Sequence, residues 1–288
     1  MSWETPSSAQ GRKSVQKAEE SPVAKLGGKL IVMKRTALLL LVALVAVLPT
    51  VGGPKDAPKE PAPKPLFALQ LAADAGKTTK LTLRGLRLDT ATEVRLQDPK
   101  SSGKVVGKGR KAAVPNLMSA DAVGDSEIDV EVTLSKDIPG GIVSLTVVGP
   151  GGESAPMTLL VNDDTPRVVE KEPNDGFKQA QLIGIPQMVE GSIKQNQDVD
   201  VFRIEGKAGD RLRIEVLAAR YGSPVDAMLT VYDAGGRTVA TGEPVSGSRD
   251  PFVRIKLPKE GAYFISVIDS HDQGGPMFVY RLAVRREK

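Results

Sequence analysis

Cysteine is absent from all 288 residues. The chain can therefore have no disulfide framework, thiolate nucleophile or cysteine-based metal site, and hydrophobic cores or bound ions must hold it together. Histidine occurs once, at His271. Ser270-His271-Asp272 offers the residue types of a catalytic triad, but three consecutive residues do not converge as nucleophile, base and orienter. The G-x-S-x-G, H-E-x-x-H and P-loop patterns are missing too. Aromatics make up 4%, and the one tryptophan is Trp3. Carboxylates are plentiful, but a sandwich-type glycosidase needs a cleft with aromatic subsites. The chain is expected to be no enzyme.

Positive charge is scarce where a phosphate backbone would need it. Residues 1–53 hold 7 Lys+Arg against 3 Asp+Glu, which accounts for the whole formal net charge of +4. From residue 54 onward each sign counts 32. No overall positive field remains, so nucleic acid is not an expected partner.

Met33-Lys34-Arg35 precedes an apolar run from Ala37 to Leu48, then Pro49-Thr50-Val51-Gly52-Gly53. A basic start, a short apolar stretch and small residues at its end make a secretory signal. Residues 1–53 read as a leader, with Met33 as the expected true start. The run is short of the roughly 20 apolar residues of a membrane span. Cleavage near Gly52 would leave no stable span; the alternative is a retained anchor. Residues 54–65, PKDAPKEPAPKP, alternate proline and charge and read as an extended linker. The expected location is secreted, periplasmic or at the cell envelope.

Beyond the linker the pattern is that of strands. Thr78–Arg84, Glu127–Leu134 and Ile142–Val148 alternate polar and apolar residues, and Met157–Val161 is a last apolar run. The residues LTLRGLRLDTATEVRL and DVEVTLSKDIPGGIVSLTVVGPGGESAP resemble the IPT/TIG type of immunoglobulin-like domain, with Gly140-Gly141 and Pro150-Gly151-Gly152 at its turns. This first domain is expected at 66–163. Its middle stretch, Asp98 to Gly124, is basic and irregular and reads as a solvated loop.

A polar joint at Asn162-Asp163-Asp164-Thr165-Pro166 leads to a second domain at 167–288. Here EKEPNDGF, DVDVFRI, KAGDRLRIEV, LTVYDAGG and YRLAV follow in order. Together they resemble the bacterial pre-peptidase C-terminal (PPC) family, and the related collagen-binding modules of bacterial collagenases. Phe202, Tyr232, Phe264 and Tyr280 stand in alternating strands and are expected in the core; Tyr221 is expected at the sandwich rim. The fold class is all-β: two consecutive β-sandwiches, immunoglobulin-like and then PPC jelly-roll-like, after the signal peptide and linker.

One constellation could carry chemistry. Glu170, Glu172 and Asn174 are two apart and share a side in an extended segment; Asp175 follows, and Asp198 and Asp200 stand on a later strand. Such hard oxygens suit Ca²⁺, which takes about 6–8 of them. The resemblance implies the same, since the collagen-binding relatives build a calcium site on a similar E-x-E-x-N-D start. The alternative is a plain turn whose Asx side chains bond local amides. The expected function is an exported, non-catalytic binding or targeting protein that contacts an exported protein or polysaccharide. The alternative is an accessory or chaperone-like partner of a separate exported hydrolase.

Overall fold

The computed structural model describes residues 60–244 and 246–287. The expected signal peptide, its start at Met33, cleavage near Gly52 and linker residues 54–59 lie outside them.

In the N-terminal half the strands are β1 (Lys64–Ala68), β2 (Ala72–Ala73), β3 (Thr78–Leu86), β4 (Glu93–Leu96), β5 (Ser102–Val105), β6 (Arg110–Lys111), β7 (Ser126–Thr133), β8 (Gly141–Gly149), β9 (Gly152–Glu153) and β10 (Met157–Val161). One sheet runs β1-β3-β7-β5 with β6 also on β7; the other runs β2-β10-β8-β4 with β9 on β8. Alternation decides the faces: Ile128, Val130 and Val132 of β7 are buried while the residues between them are not. They meet Val143, Leu145 and Val147 of β8 in a core of their own.

The C-terminal half holds β11 (Arg167–Val169), β12 (Gln181–Leu182), β13 (Gln187–Ser192), β14 (Val199–Gly206), β15 (Arg211–Leu217), β16 (Ala227–Asp233), β17 (Thr238–Thr241), β18 (Glu243–Pro244), β19 (Pro251–Lys256), β20 (Gly261–Asp269) and β21 (Val279–Arg286). These form the sheets β11-β13-β21-β15-β19-β18 and β12-β14-β20-β16-β17. Ile214, Val216, Leu282 and Val284 of the first face Phe202, Ile204, Ile265 and Val267 of the second. The β16–β17 hairpin turns at Ala234-Gly235-Gly236, where Asp233 accepts hydrogen bonds from the Gly235 and Arg237 amides. The fold is all-β, built of β-sandwiches.

Three expectations are corrected. The basic stretch Asp98–Gly124 is no simple loop. It supplies β5 and β6, which both pair with β7; β6 is held there as Arg110 finds Glu127 and Asp129 at 2.8 Å and Lys111 finds Asp89 at 3.0 Å. The end of the linker belongs to the fold: β1 begins at Lys64, and Arg87 donates to the Ala62 carbonyl at 2.8 Å. Phe202 and Tyr280 are core residues, but Phe264 and Tyr232 are not in that core. Tyr263, Ile265 and Val267 point inward, so alternation turns Phe264 outward. There Phe177 covers it, stacked at 4.4 Å, with Tyr232 at 5.4 Å from Phe177.

The halves pack closely. Leu71, Ala72 and Leu160 of the first bury against Leu217, Tyr221 and Val279 of the second, which places Tyr221 in a seam. Phe67, fully buried, joins the core of the C-terminal half. The first half thus covers the outer face of the β13-β21-β15 sheet.

Candidate metal centre

The chain leaves β11 at Val169 and runs along the edge of β13, where the Glu170 amide donates to the Glu190 carbonyl at 3.0 Å. Glu170 is buried, and its Oε2 accepts from the Ser192 amide at 2.6 Å. The next turn folds back on itself: Glu172 Oε2 accepts from the Asn174 amide at 3.1 Å. The Asn174 carbonyl then accepts from the Val201 amide of β14 at 3.0 Å, which brings the turn beside Asp200.

The result is a group of three carboxylates. One oxygen each from Glu170, Glu172 and Asp200 lies within 4.8 Å of the others. Asn174 and Asp200 are fully buried. Both polar atoms of the Asn174 side chain, and Oδ1 of Asp200, have no hydrogen-bond partner. Orphaned buried polar atoms are costly and call for a missing partner. Asp198 is buried nearby but its Oδ2 is taken by the Lys194 amide at 2.6 Å. Asp175 is exposed, outside the three-carboxylate group.

Electrostatics mark the same spot. Burial, with the charge of Glu170 behind it, pushes Asp200 up to about 9. Burial also raises Glu170. Glu172 is less buried: desolvation still pushes it up most, but the hydrogen bond and charge of Lys194, with the hydrogen bonds of Glu170 and the Asn174 amide, together lower it. Lys194 Nζ reaches Glu170 at 3.3 Å and Glu172 at 3.1 Å. Tyr280 donates to Asp200 Oδ2 at 2.6 Å. One ammonium therefore faces three carboxylates, and a proton on Asp200 makes up part of the difference.

Sequence reasoning missed Lys194, Tyr280 and Gly191. Gly191 sits opposite Tyr280 across β13–β21, and a Cβ there would fall 2.5 Å from the Tyr280 ring and 2.9 Å from Glu170 Oε2. Only a residue without a side chain lets the tyrosine and the glutamate share this place. Pairing over a separation of 80 residues leaves no local signal for the Tyr280–Asp200 bond.

The lone histidine also has unexpected company. Ser270 Oγ lies 2.9 Å from His271 Nδ1 and donates to Asp226 Oδ2 at 2.8 Å. Asp226 and the serine both approach the same ring nitrogen. A triad needs them on opposite nitrogens, with the carboxylate orienting and the hydroxyl facing the base. The arrangement is an exposed hydrogen-bonded loop.

Residues 198–268 match the family model described as the bacterial pre-peptidase C-terminal domain. The C-terminal half carries a PPC domain. Asp198 and Asp200 open the matched stretch, while Glu170, Glu172 and Asn174 come before it, so the acidic group joins the PPC segment to its approach strand. Similar solved structures include the PPC domain of a collagenase from Bacillus anthracis, at 18% identity and a TM-score of 0.32, covering 40% of this chain and 99% of that one. Another is PliG of Aeromonas hydrophila, a periplasmic inhibitor of g-type lysozyme, at 18% identity and 0.29, covering 44% and 100%. A third is SGBP-B of a Bacteroides ovatus mixed-linkage glucan utilization locus, in complex with a heptasaccharide, at 8% identity and 0.24, covering 78% and 74%. No curated protein sequence matches the chain. No helix of the described residues is long and apolar enough to cross a membrane.

The donor set suits a hard cation: carboxylates, an amide carbonyl, and no nitrogen or sulfur ligand. Glu170, Glu172, Asn174 and Asp200 would hold it, with Asp198 beside them. A bound Ca²⁺ would supply charge neutralisation and a cross-link between the end of β11, the turn and β14.

Proposed function

We propose that this protein is an exported, non-catalytic binding protein of the cell envelope or extracellular space. Its PPC domain is locked by Ca²⁺, and it contacts an exported protein or polysaccharide. The observation that carries the reading is the set of three clustered carboxylates with orphaned buried atoms on Asn174 and Asp200. Such a group favours a structural ion over catalysis, because Glu170 and Glu172 are pinned by backbone amides and Lys194, and Asp200 by Tyr280. The PPC match supports a binding or accessory module. The misplaced Ser270–His271–Asp226 contacts support the absence of nucleophilic catalysis. Capture from an envelope fraction on the immobilised protein, with Ca²⁺ and with chelator, tests it. A partner retained in Ca²⁺ and released by chelator is expected. Retention of nothing specific in either condition, or turnover of a retained substrate, would contradict it.

A further inference from the structure

Arg281 stands on the outer face of β21, under the first half of the molecule. Its side chain is only 5% exposed. Nη2 donates to Asn162 Oδ1 at 2.6 Å. Glu190, directly opposite on β13, stays at 3.6 Å, beyond a hydrogen bond. Nε is buried with no partner. A guanidinium carries five donors in a fixed fork, and leaving them unmet in a buried place is costly. The neighbouring cations are already paired: Arg167 with Asp74 at 2.8 Å and Arg285 with Asp163 at 2.7 Å. Of the three, Arg281 has the longest ion pair, to Glu190 at 3.6 Å.

Arg281 forms part of the wall of a cavity of about 400 Å³ between the two sandwiches. Seams between domains are common places for small-ligand sites, and this volume falls within their usual range. Leu69, Leu71, Ala72, Val169 and Val279 give the cavity an apolar side. Three acidic residues also line it. Asp74 is committed to Arg167 and to the Asn162 amide, and Glu170 to Ser192 and Lys194. Glu190 remains, half exposed and loosely opposed to Arg281.

We propose that this cavity binds a small organic acid with a short apolar body, its carboxylate paired with Arg281. A planar carboxylate matches the guanidinium fork, and the other wall cations, Arg167 and Lys194, hold closer carboxylates, at 2.8 Å and at 3.1 and 3.3 Å. The cavity borders the acidic group, sharing Glu170 and Lys194 with it, but the pairing with Arg281 needs no ion.

The test is calorimetric titration of the full chain, in chelator, with 4-methylpentanoate and with its neutral amide. Saturable binding of the acid at millimolar concentration is expected, at least about tenfold tighter than the amide, the scale of one charge-assisted pair. Arg281→Met should remove that preference. Should that variant fail to fold, Val169→Trp decides, because Val169 is exposed at the rim and a larger side chain there fills the cavity. It should abolish binding of the acid with the melting temperature unchanged. Equal binding of acid and amide, no binding of either, or unchanged binding to Val169→Trp would overturn the proposal.

Discussion

Asp200 shows what an unpaired buried carboxyl costs a fold. Its folded-state value of about 9 lies far above the roughly 3.9 of an unfolded aspartate. Between those limits the folded chain binds the extra proton, so ion-free stability must fall as pH rises through that window. Melting of the chelated protein should therefore occur at a lower temperature at pH 8 than at pH 5. Asp200→Asn keeps an acceptor for Tyr280, removes the charge, and should raise the melting temperature at pH 8 while flattening the slope. A variant that melts lower than wild type at pH 8 would refute this reading of Asp200. Asp250 makes the opposite case. It is fully buried but satisfied, accepting from the amides of Ala218, Ala219 and Arg220 and from the Arg220 side chain at 2.8 Å. Asp250→Ala should cost about 3–5 kcal/mol in urea unfolding, since it strands three amides and takes from Arg220 one of its two carboxylates, the other being Glu215. Glu170, Glu172 and Asn174 were legible in the sequence as a group by their spacing of two, and Asp200 as standing on a strand that could come alongside, though the chain at Glu172–Asn174 is a turn and not extended. Lys194, Tyr280 and Asp250 were not, since their roles arise from pairing and turns across distant segments.

Strands were the most legible elements, because one buried face imposes a period of two that composition cannot hide. Thr78–Arg84, Glu127–Leu134, Ile142–Val148 and Met157–Val161 all fall within or over strands β3, β7, β8 and β10. What alternation does not reveal is which face is inner when both are apolar. On β20 the outer residue Phe264 is as hydrophobic as its inner neighbours, and only the cover given by Phe177 explains it. The two roles should separate by mutation. Phe177→Ala removes one stacked partner from a half-exposed cluster and should cost about 0.5–1.5 kcal/mol beyond its area. Phe202→Ala opens the core and should cost about 3–5 kcal/mol. Denaturant melts of the two variants check the order, and equal losses would put Phe177 in a true core. The β5 and β6 strands were hidden because they are short, carry no apolar alternation and pair with the distant β7, where Glu127 and Asp129 neutralise Arg110 of β6.

At the scale of the whole molecule the two sandwiches are tied at a seam. Phe67 leaves the first half to fill the core of the second, and Leu71 and Leu160 bury against Tyr221 and Leu217. Phe67→Ala should thus lower the stability of the PPC domain by about 3–5 kcal/mol although the residue belongs to β1. Hydrogen exchange on β14 and β20 would register the loss; an effect confined to β3 and β7 would contradict the shared core. The seam also brings Glu170 to the wall of the cavity that Arg281 lines, so the acidic group lies where both halves can feel it. The claim that this group holds Ca²⁺ is tested most directly by the melting temperature at pH 7.5 over a calcium titration. Binding to the folded state alone stabilises by RT ln(1 + [L]/Kd), about 2.7 kcal/mol at a hundredfold excess over Kd. The melting temperature should rise with Ca²⁺, rise less with Mg²⁺, and stay level in Glu172→Gln combined with Asp200→Asn. A flat titration of the wild type would show that the Glu-Pro-Asn-Asp segment is a structural turn held by Lys194, with no calcium site.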